Sequence, residues 1–352
     1  MWVTRVHAVH SFFNRNSTEE TFMPALKRRN LGVRLVLGLA ACLMGVAGHA
    51  QSGADAYPNK PIRVVVPYPA GGTTDQLARS IAQPLQEILG QPIVVDNKPG
   101  AGGTIGADLV AKSSADGYTL LFGNSGPSAT VSLMRKLPYD INKDFRPLSA
   151  VVSVPLILAV AAESPHKNLK EFLAWARASG DKVNYGSTGV GGSSHLASEY
   201  FNELAGTKFQ HIPYAGGAPL VTAFAAGQVQ MAFVTGLDGA AMVNAGRIRY
   251  LAVASPKRTE VIPHLPAIAE EVPGFSAVVW FGLLAPRGVS DAIAEKLSAA
   301  IAKAVQRPEI RKHYLDRNVE PRGSSAQELA RTIELEIEQW GPVIKRSNIS
   351  IQ

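Results

Sequence analysis

The chain has one cysteine in 352 residues, Cys42, and it lies in an apolar stretch near the N-terminus. One thiol makes no intramolecular disulfide and no cysteine-based metal site, and removal of the N-terminal stretch leaves a mature chain without thiol chemistry. Basic runs, and basic stripes interleaved with aromatics, are also lacking. The formal charge of +7 is concentrated early: residues 1–50 hold six Lys+Arg and two Asp+Glu, and the remainder holds 29 against 26. No nucleic-acid partner is expected from that balance. The usual catalytic signatures are missing too. Gly123-Asn124-Ser125-Gly126-Pro127 has proline where G-x-S-x-G needs its last glycine, and no P-loop occurs. Residues 99–106 imitate a dinucleotide fingerprint, but with the wrong spacing and cut off from their strand by residues 96–99, so they read as a loop that starts a helix. His166, His195, His211, His264 and His313 show no paired spacing. No metal, no cofactor and no catalytic residue is therefore expected.

The first fifty residues read as a removable export signal. Lys27-Arg28-Arg29 and Arg34 form its basic part, residues 35–47 its apolar part, and Gly48-His49-Ala50 a small-x-small cleavage site before Gln51. The apolar run is too short to span a membrane. Residues 1–22 fit the pattern poorly and place the true start at Met23. A second reading, a lipid-bearing Cys42, competes with an apolar run that continues past the cysteine. The mature chain is accordingly expected in the periplasm.

The mature part is organised around residues 62–75. Ile62 to Val66 is short, β-branched and bounded by prolines, which predicts a buried strand. Leu77, Ile81, Leu85 and Leu89 then recur at helical spacing, with Thr74 or Asp75 placed to cap the helix. Gly71 and Gly72 keep side chains off the turn between, and the helix start presents unpaired N–H groups. Such a turn seats a carboxylate or phosphate, although an ordinary strand-to-helix turn looks the same. Pro84 is expected to kink or shorten the helix.

Strand and helix patterns alternate through the rest, predicting parallel sheets covered on both faces. Glycine-bearing turns recur at strand ends, at Gly123-Asn124-Ser125, Ser187-Thr188-Gly189, Ala215-Gly216-Gly217 and Thr235-Gly236, and suggest two similar halves. They offer amides and hydroxyls and few titratable groups, which favours holding a ligand over transforming it. Pro155 breaks an apolar stretch at a natural crossing point between domains. The expected division is residues 57–155 with 274–352 as one domain and 156–273 as the other, with crossings near Pro155 and residues 273–276.

Taken together, Pro67-Tyr68-Pro69-Ala70-Gly71-Gly72-Thr73-Thr74-Asp75, residues 96–103 and 116–121, Tyr185-Gly186-Ser187-Thr188-Gly189 with His195-Leu196, residues 211–217 and Trp280-Phe281-Gly282 on to Pro286 resemble, in order and along essentially the whole mature chain, the Bug family. These are periplasmic solute-binding proteins of tripartite tricarboxylate transporters. The resemblance implies a type II periplasmic-binding-protein fold, two α/β domains with a hinge and a ligand cleft between them. It also implies a small mono- or dicarboxylate ligand, a membrane permease as partner and a monomeric receptor. Carried over, the family's grip falls on Ala70, Gly71, Gly72, Thr73 and Thr74 on one side and Ser187, Thr188 and Gly189 on the other. Residues 126–131 depart from the commoner family pattern, which leaves the far end of the ligand unspecified.

Ser125 belongs to the same set of strand-end loops. Asp75 suits either a ligand ammonium group or a helix cap, and Asp238 either a ligand or its own helix. Tyr68 and Tyr214 flank glycine pairs, as cleft walls or as core. Two rival functions remain. One is a hydrolase or transferase acting on a carboxylate, which requires His195 against Ser187 or Ser193; the other is a ligand sensor using the same cleft.

Overall fold

The computed structural model describes residues 57–214 and 217–351. The export signal, the start at Met23 and the lipid site at Cys42 lie outside the described residues, as do Ala215 and Gly216. Eleven strands are described: β1 (Ile62–Val66), β2 (Ile93–Asn97), β3 (Thr119–Asn124), β4 (Phe145–Pro155), β5 (Ile157–Ala161), β6 (Asn184–Ser187), β7 (Gln210–Pro213), β8 (Met231–Val234), β9 (Ile248–Val253), β10 (Val278–Pro286) and β11 (Glu320–Pro321). They form two sheets, ordered β2-β1-β3-β10-β4-β11 and β7-β6-β8-β5-β9.

Both sheets are mixed, not parallel as the alternating pattern had predicted. β1 runs parallel to β2 and β3, and β6 to β7 and β8. However, β10 is antiparallel to β3 and β4, and β5 to β8 and β9. β10 and β5 are the strands by which the chain enters each sheet from the other one, so they arrive pointing the opposite way. The two sheets are thus built alike, each with the entering strand inserted one place from its end or nearly so. The passages between them lie side by side: the N–H of Leu156 donates to Ala277 O (3.2 Å), Ala277 N–H to Ala254 O (2.7 Å) and Ala254 N–H to Leu156 O (2.8 Å).

The helices that matter below are α1 (Thr73–Leu89), α2 (Thr104–Ala111), α3 (Leu169–Ser179), α4 (Ser193–Ala205), α5 (Gly217–Ala225), α6 (Gly236–Asn244), α7 (Asp291–Val305), α8 (Pro308–Leu315) and α9 (Ala326–Arg346). α1 is not shortened by Pro84, which is buried inside it. Burial of that helix face beside Leu77, Ile81 and Leu85 outweighs the one lost hydrogen bond. In the second sheet's layer Phe172, Phe201, Phe233 and Phe275 are fully buried and in ring contact, each contributing about 1.5–3 kcal/mol of burial. α9 opens on the capping box read from sequence, Ser325 with Glu328, and reaches α4 through Tyr200 against Trp340 (ring centroids 5.7 Å) and Glu203 with Arg346 (2.7 Å). No helix among the described residues is long and apolar enough to cross a membrane.

Candidate functional site

The equivalent strands β1 and β6 lead into turns of the same design. After β1 the chain reads Gly71-Gly72-Thr73-Thr74-Asp75, and after β6 Gly191-Gly192-Ser193-Ser194-His195. In each, the first glycine has positive φ (+85° and +75°) and the second is an extended N-cap that has no side chain to cap the helix. In each, the third helical residue reaches back: Gly71 N–H donates to Asp75 Oδ2 and Gly191 N–H to His195 Nδ1, both at 2.9 Å. Asp75 is therefore not the cap, as the spacing had suggested, but the acceptor that fixes the turn ahead of it. A serine or aspartate at the N-cap would have engaged the first-turn amides itself. With glycine there, the N–H groups of Thr73, Thr74 and Asp75, and of Ser193, Ser194 and His195, have no acceptor among the described residues and stand at the positive ends of α1 and α4.

Both turns converge on the carboxyl end of β3. Asn124 Nδ2 lies 3.5 Å from Thr74 Oγ1, and Tyr68 OH lies 3.3 Å from Asn124 Oδ1. Burial pushes the Tyr68 phenol up to about 12, so it stays a neutral donor. Ser125, the next residue, shares a small cavity with Ser193 and Leu196 at the start of α4. A hydrogen bond from Thr73 Oγ1 to Asp238 Oδ1 (3.0 Å) joins the two halves at another point. Asp238 does not cap α6 itself: Thr235 does, accepting from Asp238 N–H, while Asp238 Oδ2 accepts from Thr235.

The cations nearby are engaged. Arg79 holds Asp75 (3.0 Å) and Asn97, and Arg135 holds Ala101 O and Thr104. Asp75 is buried, which favours its neutral form, yet hydrogen bonds from Arg79, Gly71 N–H and Asn97 outweigh this and hold its carboxyl below the ordinary value. The cations are thus spoken for, and the site offers neutral donors and hydroxyls beside the carboxylates of Asp75 and Asp238.

The other residues named from sequence fall into place around this. Ala70 is exposed. Ser187 is fully buried, and Gly189 N–H donates to its Oγ (3.2 Å). Thr188 N–H donates to Ser194 Oγ (2.9 Å), and their hydroxyls lie 3.0 Å apart. The Tyr214 ring sits with Pro219 and Gln228 in a broad open depression, and only its N–H, donating to Ser187 O, reaches the site loop. Ser187, Thr188 and Gly189 thus brace the turn that carries the open amides. Gly191, Gly192 and Ser194 were missed in the sequence and Ser193 was weighed only as a nucleophile, although the repeated Gly-Gly-hydroxyl-hydroxyl string was there to be seen.

His211, not His195, meets Ser187: its Nε2 lies 2.6 Å from Ser187 Oγ. The pair does not make a nucleophile. Ser187 has no exposed surface, and its Oγ is shared among His211 and both polar groups of Gly189. The rings of Tyr185, His195 and His211 form one cluster, His211 stacking on both others (centroids 4.9 Å to Tyr185 and 3.8 Å to His195), and the Tyr185 hydroxyl goes to Glu199. The parallel register of β6 and β7 sets this: Tyr185 is opposite His211, and Ser187 follows two residues on, facing the same way. Burial lowers His211 to about 4 and His195, which also feels His211, to about 3. Both rings are neutral in the fold and charge readily when unfolded, so the stability they support is present above about pH 6.5 and is lost as pH falls toward 4. Acidification from pH 7 to pH 5 is expected to cost about 2 kcal/mol, discounted for the partial exposure of His211. Urea melts of the wild type and His211→Gln at the two pH values check this: the variant should lose part of the dependence, and an identical slope in both would refute it.

This architecture has counterparts. The chain matches the tripartite tricarboxylate transporter family receptor over residues 77–349. It is 34% identical to Protein BugT of Bordetella pertussis, over 90% of this chain and 98% of that one. The structure of R. palustris Rpa4515 with adipate superposes with a TM-score of 0.77 at 36% identity, covering 84% of this chain and 99% of that one. MatC from Rhodopseudomonas palustris with bound malate gives 0.72 at 32%, covering 82% and 100%. With two alike halves, paired glycine turns and this breadth of match, the chain belongs to the tripartite tricarboxylate transporter receptor family.

Proposed function

We propose that this protein is an exported, periplasmic receptor that captures a small mono- or dicarboxylate between two domains, 57–155 with 274–352 and 156–273, and delivers it to a membrane permease as a monomer. The observation that carries this reading is the pair of uncapped helix starts converging on Asn124 and Ser125. Six unpaired N–H groups and the hydroxyls of Thr74 and Ser193 suit a carboxylate, which accepts several hydrogen bonds and needs no reactive partner. Adipate and malate, bound by Rpa4515 and MatC, are the natural first probes. The passages at Leu156 and Ala277 act as the hinge, and Thr73 with Asp238 closes the edge of the cleft. No second function is favoured, because Ser187 is buried and its hydroxyl is shared between His211 and Gly189.

Titration calorimetry with a carboxylate panel that includes adipate and malate tests this. At least one member should bind at micromolar or tighter concentration, with only modest weakening by salt, since no free cation is involved. Thr73→Val, which removes the link to Asp238, should weaken that binding about threefold to tenfold, the worth of one hydrogen bond. Folded protein that binds no member of the panel refutes the proposal.

A further inference from the structure

We propose that Glu336 is a proton-binding site coupled to closure of the cleft: its carboxyl takes up a proton as the two domains close on the ligand and releases it as they part. This rests on the receptor reading above. Glu336 lies on the inner face of α9, where the domains meet. Its carboxyl borders a cavity of about 10 Å³, room for about one water. The walls come from both sides: Ser125 and Val279 from the first sheet, Leu156 from the crossing, Ser193 and Leu196 from α4, and Trp340 from α9 itself.

The carboxyl has polar company but no charged company. Trp280 Nε1 donates to Oε2 at 2.6 Å, and Ser125 and the Trp340 indole also hydrogen-bond to it. β10 presents Trp280, the end of β3 presents Ser125, the turn Thr130–Leu133 presents Thr130, the crossing presents Leu156 and α4 presents Ser193 and Leu196. Among the described residues, no Lys, Arg, His, Asp or second Glu faces it from any of these elements. Burial therefore dominates, and with the three hydrogen bonds pulling the other way the carboxyl is still pushed up to about 7.

Part of this enclosure belongs to α4, which carries one of the ligand-facing turns. When the domains separate, Ser193 and Leu196 withdraw, water reaches the carboxyl, and its affinity for protons returns toward that of an ordinary glutamate. The closed state then holds the higher pKa. Closure takes up a proton, and ligand affinity is greatest at low pH, falls as pH rises toward 7 and levels off above it. Between pH 6 and pH 8 the expected loss of affinity is about tenfold. A carboxylate ligand is largely ionised throughout that window, so its own titration adds little.

The test is calorimetry with adipate, malate and the rest of the panel at pH 6, 7 and 8, in pairs of buffers with different heats of ionisation. Wild-type protein should take up about half a proton per ligand at pH 7. Glu336→Gln keeps an acceptor for Trp280 and should bind with no proton uptake and a flat profile. The wild-type measurement needs no variant, so the inference stays testable if that one fails to fold. Binding without proton uptake in the wild type, or equal uptake in wild type and variant, overturns it. If nothing in the panel binds, the receptor reading falls and this inference falls with it.

Discussion

Alanine at Asp75 should weaken carboxylate binding by at least about 100-fold, or about 2.7 kcal/mol, and should also cost about 3 kcal/mol of stability. This carboxylate accepts from Gly71 N–H, from Arg79 and from Asn97, all within 3.0 Å, in a position with 3% exposure. Its removal takes away the acceptor those donors share; Arg79 and Gly71 are exposed and turn to water, so the cost is that of the lost hydrogen bonds, about 1 kcal/mol each. The Gly71-Gly72 turn then loses the contact that sets its φ of +85°, and the open amides of Thr73 and Thr74 lose their aim. Asp75→Asn keeps one acceptor oxygen and should fall between the two. Calorimetry below the melting temperature, with urea melts alongside, separates the two losses. Near wild-type affinity in folded Asp75→Ala would show that this turn does not hold the ligand.

Gly282→Ala is expected to be the most damaging glycine-to-alanine change among the described residues, costing about 3 kcal/mol out of a total that for ordinary proteins is about 5–15. Gly282 sits in β10 between β3 and β4, where the register shifts after Phe281. A Cβ there would lie 2.5 Å from Ser149 O and 3.0 Å from Ala150 Cα. Both are backbone atoms of a neighbouring central strand, so neither can step aside as a flexible side chain would. Gly341→Ala is the matched control: it lies within α9, and an added Cβ meets nothing within 4 Å outside its own helix. The helix gain of alanine, up to about 1 kcal/mol, is opposed by contact of the new Cβ with the ring of Pro342, so that change should move stability little. Thermal melts should place Gly282→Ala well below wild type and Gly341→Ala near it. A Gly282→Ala protein melting within about 2 °C of wild type would mean that the sheet is far more yielding than this packing implies.

The sequence made the first turn legible because strand, glycine pair and helix follow one another within 67–89, and a local pattern reads locally. The crossing at Pro155 was visible for the same reason, since a proline interrupts an otherwise continuous apolar stretch. Strand direction was not legible. β5 and β10 have the same apolar composition as their parallel neighbours, and only the route of the chain between sheets reverses them. The second turn was half seen. Ser187 to Gly189 drew notice, whereas the open amides lie four residues later, behind Gly191 and Gly192. His195 and His211 read as scattered because they are brought together by parallel pairing of β6 with β7, a relation absent from either segment alone. Glu336 looked like one more polar residue on an amphipathic helix, and nothing within α9 announces that the indole of Trp280 waits opposite it.

The engagement of Arg79 by Asp75 and of Arg135 by Ala101 and Thr104 bears on how a loaded receptor differs from an empty one. Peptide dipoles solvate an anion but do not cancel it, so a seat built from them keeps the guest's full electrical signature. The loaded protein would migrate as a more acidic species by one or two elementary charges, less any proton gained on the way. The permease of the function proposed above could then tell cargo-bearing from vacant molecules by surface potential as well as by shape.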